Sequence, residues 1–356
     1  MQTVKGKLVF KDGSFYEGEL LGNRNAVGEV VFTTGMSGYQ ETLTDPSFCD
    51  QIVVLTYPLV GNYGVSDFFN QSGRCWYQGF VVSELCDEPS NWRSEGTLGK
   101  FLEENNVPVL TGVDTRAITR KIRQYGTLQG VIVRSDMPQD EIDALLNTPE
   151  THDQVARSTT PRVYTKGDGK YNVAVMDYGI KQNILDYLVE FNCKVTVFPA
   201  ETPAKDVLAI NPDGIFLSNG PGDPEDLVIE IENIKKMIGK KPIFGICMGH
   251  QIMALANGAK TVKMKFGHRG INHPVRDLVE DRISITSQNH GYVVDEESLK
   301  DLPVEVINRS LNDNTIEGVK YLEHPTFTVQ YHPEGAPGPY GNEYLFERFV
   351  KMMEEK

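Results

Sequence analysis

The residues best suited to chemistry lie in Gly245-Ile246-Cys247-Met248-Gly249. A cysteine bracketed by glycines, between a strand pattern and a helix pattern, is the cysteine form of a nucleophile elbow. The glycines let the chain turn sharply enough to expose the side chain. The start of a helix offers backbone N–H groups and a positive dipole end, which favour a thiolate. A free cysteine is more often a small buried apolar residue, but the glycine bracket and the strand-to-helix position set this one apart. A thiol nucleophile needs a base, and the base needs an orienting group. Tyr331-His332-Pro333-Glu334, at the end of a predicted strand from Thr326 to Gln330, offers both. His332 would take the thiol proton and return it to a leaving amine. Glu334, two residues on in extended chain and able to face the same way, would hold the imidazole tautomer. The chemistry this suits is attack on an amide carbon.

Two more segments offer polar contacts. Ser218-Asn219-Gly220-Pro221-Gly222-Asp223-Pro224 is a tight loop after a strand, where glycine lets backbone N–H groups approach a ligand. One of them could complete an oxyanion hole with the N–H of Met248, or the segment could be a plain turn. Ser287-Gln288-Asn289-His290-Gly291-Tyr292 reads as a polar loop after the strand Ile283-Ser284-Ile285. It could hold a polar amino-acid substrate or be an ordinary connection. His268, His273, His290 and His332 are scattered and form no HExxH or similar ligand pair, so no metal is expected. No GxxxxGK[ST] loop occurs, so ATP binding by that device is not expected either.

These segments need elements to position them. The second half alternates strand and helix patterns: Asn172–Met176, a helix around Asn183 to Phe191, Lys194–Phe198, Gly214–Ser218, Pro242–Ile246, and a helix from His250 to Ala256. That order predicts an open, mainly parallel α/β sheet with helices on both faces. Sites in such sheets lie at the carboxyl ends of the strands, so the loops beginning at Asn219, Cys247 and Gln330 should converge. The first half reads as a β-rich α/β domain. Leu8-Val9-Phe10 and Phe15-Tyr16-Glu17 flank Asp12-Gly13, a hairpin signal. Further strands are expected at Gly28–Phe32, Gln51–Leu55 and Gly130–Val133, with short helices at Thr97–Leu102 and Thr115–Arg120. From about 148 to 170 the apolar periodicity lapses into polar residues punctuated by Pro and Gly. The expected division is therefore 1–150, a linker at 151–170, and 171–356.

A chain of 356 residues suits two cores rather than one. Its net charge of -14 repels phosphate backbones and argues against nucleic acid as partner. No apolar run approaches the ~20 residues that span a bilayer, and the N-terminal residues lack the apolar core of a signal peptide. Five cysteines without CxxC spacing argue against a disulfide framework and fit a cytoplasmic location.

Gly245-Ile246-Cys247-Met248-Gly249-His250-Gln251 together with His332-Pro333-Glu334 resembles the class I, triad-type glutamine amidotransferases. The first half narrows this. The run Thr34–Ser47 (TGMSGYQETLTDPS), the run Thr56–Gly64 (TYPLVGNYG), Gly112-Val113-Asp114-Thr115-Arg116, and Asp177-Tyr178-Gly179-Ile180-Lys181 are similar to the small subunits of carbamoyl phosphate synthetases. The resemblance covers nearly the whole chain. It implies a catalytic triad of Cys247, His332 and Glu334. It implies glutamine-binding roles for Ser47, Gly220, Gly222, Met248, Gln251, Asn289, Gly291 and Tyr292, with the pocket at the domain interface because Ser47 lies in the first domain. Met248 departs from the leucine frequent in the family, at a place where the backbone N–H matters most. The resemblance also implies a heteromeric large subunit that carries ATP and Mg and makes carbamoyl phosphate from bicarbonate for pyrimidine and arginine synthesis. No cofactor is expected in this chain. The rivals are a stand-alone amidase or γ-glutamyl peptidase, a non-catalytic interaction subunit, and a metal-dependent hydrolase.

Overall fold

A computed structural model describes residues 3–355. The chain forms two compact units, 1–151 and 152–356. Among the described residues, no helix is long and apolar enough to cross a membrane. Among the described residues no two cysteines are joined in a disulfide.

In the first unit, seven of the described strands close into a barrel. The Asp12-Gly13 signal becomes the turn between strands Val4–Phe10 and Phe15–Leu21, with Gly13 in the left-handed region at φ 82. The two expected helices form and run further, as Leu98–Glu104 and Thr115–Tyr125. Each begins on a side-chain cap: Thr97 accepts from Lys100 N–H and Asp114 from Ala117 N–H. One face of the barrel wall, with Val31, Val53, Phe80 and Val109, packs against Leu43 and against Leu98 and Leu102 of the first of these helices.

The second unit is built on one sheet of ten described strands. Five lie parallel at its centre, in the order Cys193–Pro199, Tyr171–Asp177, Gly214–Leu217, Ile243–Ile246, Thr326–Val329. Antiparallel strands flank them on both sides. The central strands are apolar on both faces because both are covered. Val173 and Val175 face one side, with Phe216, Phe244 and the C-terminal helix Tyr344–Glu354. Ala174 and Met176 face the other, with helices Ala204–Ala209, Val228–Met237 and Met248–Ala256. This places the carboxyl ends of the strands at Ser218, Cys247 and Gln330 on one edge, as the pattern predicted.

Two expectations are corrected. The stretch 151–170 is not a featureless linker. From His152 on it belongs to the second unit, with a helix Gln154–Ser158 anchored by buried Val155. A strand Tyr164–Lys166 then pairs with Cys193–Pro199. Short ladders and a single apolar anchor are below what periodicity detects. Likewise Ser287–Tyr292 is not a loop. It lies inside the strand Arg282–Val294, opposite Thr261–Asp277, with Gln288, Asn289 and His290 paired to Gly270, Arg269 and His268. Polar side chains are tolerated there because neighbours on the same strand and Glu317 bond them: Gln288 meets Thr286 and Glu317, and His290 meets Gln288 and the Tyr292 carbonyl.

Candidate active site

Cys247 follows the strand Ile243–Ile246 and caps the helix Met248–Ala256, which starts two residues before the position expected from sequence. Its backbone has φ 53 and ψ -103, a conformation that few side-chain-bearing residues adopt. The turn is held from both sides: Cys247 N–H donates to Val329 O at 2.9 Å and Gly249 N–H to Ser218 O at 2.9 Å. The bracketing glycines are required by close approach. A Cβ on Gly249 would stand 2.2 Å from Leu217 O, and one on Gly245 2.9 Å from the Gly249 backbone. Met248 is the first residue of the helix, where an N–H has no intrahelical acceptor and is open to an incoming oxyanion.

His332 lies just past the strand Thr326–Val329, where its N–H donates to Ser287 O at 2.9 Å. Its Nδ1 meets Glu334 Oε1 at 2.6 Å, with both side chains buried. Because a carboxylate only accepts, Nδ1 carries the proton, and Nε2 is left without a hydrogen-bond partner among the described residues. Burial alone would push the imidazole's pKa down. The Glu334 carboxylate opposes this, Lys181 works against it, and the nearby Cys247 sulfur adds to it, so the net shift is upward. Burial would push the Glu334 carboxyl up, but Lys181 and His332 outweigh burial and hold it below its usual range. The Cys247 thiol lies 3.6 Å from Asn289 O.

Lys181 ends the Asp177–Lys181 motif, which by itself assigns it no role. Its buried ammonium stands 2.8 Å from Glu334 Oε1 and also donates to Gly335 O. Nothing local in the sequence marks it, since its partners are reached only when the loop after Tyr171–Asp177 folds over the loop after Thr326–Val329. A lysine in an otherwise apolar strand-to-helix connection is the one available signal.

The other predicted residues of this unit fall around the same edge. Gly220 sits where a Cβ would meet Tyr178 O at 2.4 Å, and Gly222 has φ 90. Gln251 is buried, and its amide nitrogen donates to Tyr292 O at 2.7 Å and to Gln330 Oε1 at 3.0 Å. It therefore ties the helix to the Gln288–Tyr292 stretch. Asn289 touches the thiol through its carbonyl, while Gly291 and Tyr292 follow on the same strand. Ser47 belongs to the first unit, where it is buried in the turn Pro46–Phe48 and its N–H donates to Asp45.

Comparison with known proteins agrees with this division of labour. Residues 174–352 match the family described as glutamine amidotransferase class-I. Residues 8–132 match the carbamoyl-phosphate synthase small chain, CPSase domain. A carbamoyl phosphate synthase small chain from Bacillus caldolyticus is 50% identical over 99% of this chain and 97% of its own length. A pyrimidine-specific small chain from Halalkalibacterium halodurans is 50% identical over 99% of this chain and 98% of its own. A small chain from Clostridium acetobutylicum is 47% identical over 98% of this chain and its entire length.

Proposed function

The chain belongs to the carbamoyl phosphate synthase small-chain family, and from that premise we propose that it hydrolyses glutamine and hands the ammonia to a large synthase subunit. The observation that carries the reading is the strained, buried Cys247 beside a His332–Glu334 pair, at the start of a helix. Cys247 attacks the side-chain amide carbon of glutamine once His332 has taken its proton through Nε2. The Met248 N–H, with a backbone N–H of the Gly220–Gly222 loop, stabilises the oxyanion. His332 returns the proton to the leaving ammonia. Water then cleaves the glutamyl thioester, with His332 as base, to give glutamate and the free thiol. Glu334 keeps Nδ1 protonated throughout, and Lys181 holds Glu334 in its ionised form.

Gln251, Asn289, Gly291 and Tyr292 are proposed to hold the amino-acid end of glutamine. For Ser47 the support is sequence resemblance alone. The large subunit supplies ATP, Mg and bicarbonate chemistry, and the carbamoyl phosphate serves pyrimidine and arginine synthesis. We place this work in the cytoplasm, where thiols stay reduced.

The test is Cys247→Ser in the chain co-purified with its large subunit. Glutamine-dependent carbamoyl phosphate synthesis should fall at least ~10³-fold, while ammonia-dependent synthesis persists. Glutamine-driven turnover that survives the change would sink the nucleophile assignment.

A further inference from the structure

A row of polar side chains runs from the partly exposed Asp313 to the candidate site. His268 Nε2 meets the Asp313 carboxylate at 2.8 Å, and its Nδ1 faces Glu317 Oε1 at 3.4 Å. Glu317, in the strand Ile316–Tyr321, is fully buried, and its other oxygen lies 3.0 Å from one end of the Gln288 amide. The other end of that amide lies 2.6 Å from His290 Nε2, and His290 Nδ1 lies 2.9 Å from the Tyr292 carbonyl. The same carbonyl accepts from Gln251, on the helix that Cys247 caps. The row thus ends on residues proposed to hold glutamine.

With the Gln288 oxygen turned to His290, the hydrogen bonds do not balance. Both neighbours of the His290 ring are then acceptors, and a neutral imidazole donates only once. A second proton on that ring is opposed by burial and by His268, whose ring is 5.0 Å away, with Arg269 and His273 adding to this. The two ends of an amide are nearly alike in shape, so exchanging them needs no extra room. The Gln288 nitrogen then donates to His290 Nε2, and His290 Nδ1 donates to the Tyr292 carbonyl. The Gln288 oxygen now faces Glu317 Oε2, where two acceptors would oppose each other. One proton on Glu317 mends this contact, because a protonated carboxyl group is a donor. The Thr286 hydroxyl, 3.3 Å from the same end of Gln288, can rotate to donate to it as well. His268 keeps both ring protons, one toward Asp313 and one toward Glu317 Oε1. Every contact in the row is then a donor against an acceptor. The electrostatics agree: burial pushes the Glu317 carboxyl up against the opposing pull of His268 and Gln288, while Asp313 and Glu317 outweigh burial at His268 and raise it to about 9.

We infer that Glu317 is a positioning residue for glutamine, working as an uncharged carboxyl group that donates to Gln288 and, through Gln288 and His290, fixes the strand that carries Asn289, Gly291 and Tyr292. The inference deepens the glutamine reading and rests on it. Glu317 does not touch the thiol. It sets the tautomer of His290, so that the Tyr292 carbonyl is clamped between the imidazole and Gln251. The charges behind it, His268 and Asp313, form a balanced pair once Glu317 is neutral. Nothing near Glu317 in the sequence marks it, since its partners come from the strands Thr261–Asp277 and Arg282–Val294.

The test compares three variants of the full chain in complex with its large subunit. Glu317→Gln presents an amide N–H where the carboxyl proton stood, and should keep KM for glutamine within about twofold. Glu317→Leu and Gln288→Leu each cut the row, and should raise KM about 10-fold or more while kcat changes far less. The infrared spectrum of the full chain near neutral pH should hold a protonated-carboxyl band, shifted in deuterium oxide, that Glu317→Gln removes. Absence of that band, or a KM in Glu317→Gln raised as far as in the leucine variants, overturns the proposal. If a leucine variant fails to fold, the KM of Glu317→Gln and the infrared band decide. The band needs no glutamine, so its absence would leave the proposed function standing. An unaltered complex that does not hydrolyse glutamine would overturn that function and the positioning role while the band remained.

Discussion

At the scale of single residues, the candidate site is a set of charges arranged so that each one fixes the next. Lys181 keeps Glu334 ionised, Glu334 keeps Nδ1 of His332 protonated, and Nε2 is thereby left to serve the thiol. Glu334→Gln tests this order. The carboxylate is the main group raising the imidazole's pKa, and Lys181 opposes it. Removing the carboxylate leaves burial and the Lys181 cation, opposed only by the Cys247 sulfur, so His332 must lose its proton at lower pH. If the working form is a thiolate–imidazolium pair, the alkaline limb of kcat/KM for glutamine should move acid-ward by about one unit or more. A profile that keeps its alkaline limb would show that Glu334 serves position alone. Cys247, His332 and Glu334 are legible in the sequence as candidates because elbow and dipeptide spacing are local. Lys181 is not, since its role depends on two loops meeting.

At the scale of elements, the strand-to-helix turn is the part most sensitive to shape. Gly249 packs its α-carbon against the end of the neighbouring parallel strand, and a methyl group there would fall 2.2 Å from Leu217 O. Backbone cannot yield as a side-chain tip can, so Gly249→Ala should cost about 1–3 kcal/mol or more in urea unfolding. It should also cut glutamine turnover although no catalytic side chain has changed. Gly73→Ala, where nothing stands within 4 Å of the new atom, is the control and should be close to neutral. Equal effects at the two positions would count against the steric account. The same scale explains where the structure departs from the sequence pattern. Ser287–Tyr292 looked like a loop because its residues are polar. Its ladder with Thr261–Asp277 carries irregularities between Lys263 and His268 and between Gly270 and His273, which no alternation rule anticipates.

At the scale of the whole molecule, two cores form from one chain of net charge -14, and neither carries a recognisable ATP loop. Ammonia released to water near pH 7 becomes ammonium, which has no lone pair to attack with. Direct delivery to the large subunit is therefore the economical arrangement. With amide-¹⁵N glutamine and excess unlabelled ammonium, carbamoyl phosphate made by the complex should keep most of its label. Dilution to the bulk ratio would show release to solvent. The sequence alone supplied the candidate nucleophile and base, the α/β character of the second unit and the family, because these rest on local spacing and strand–helix alternation. Tertiary structure decided which buried groups share protons and charge. Lys181 beneath Glu334, and His268 and His290 against Glu317, are brought together by sheet order and ladder register. Those follow from the packing of two covered faces, a property of the whole chain that no short window of sequence contains.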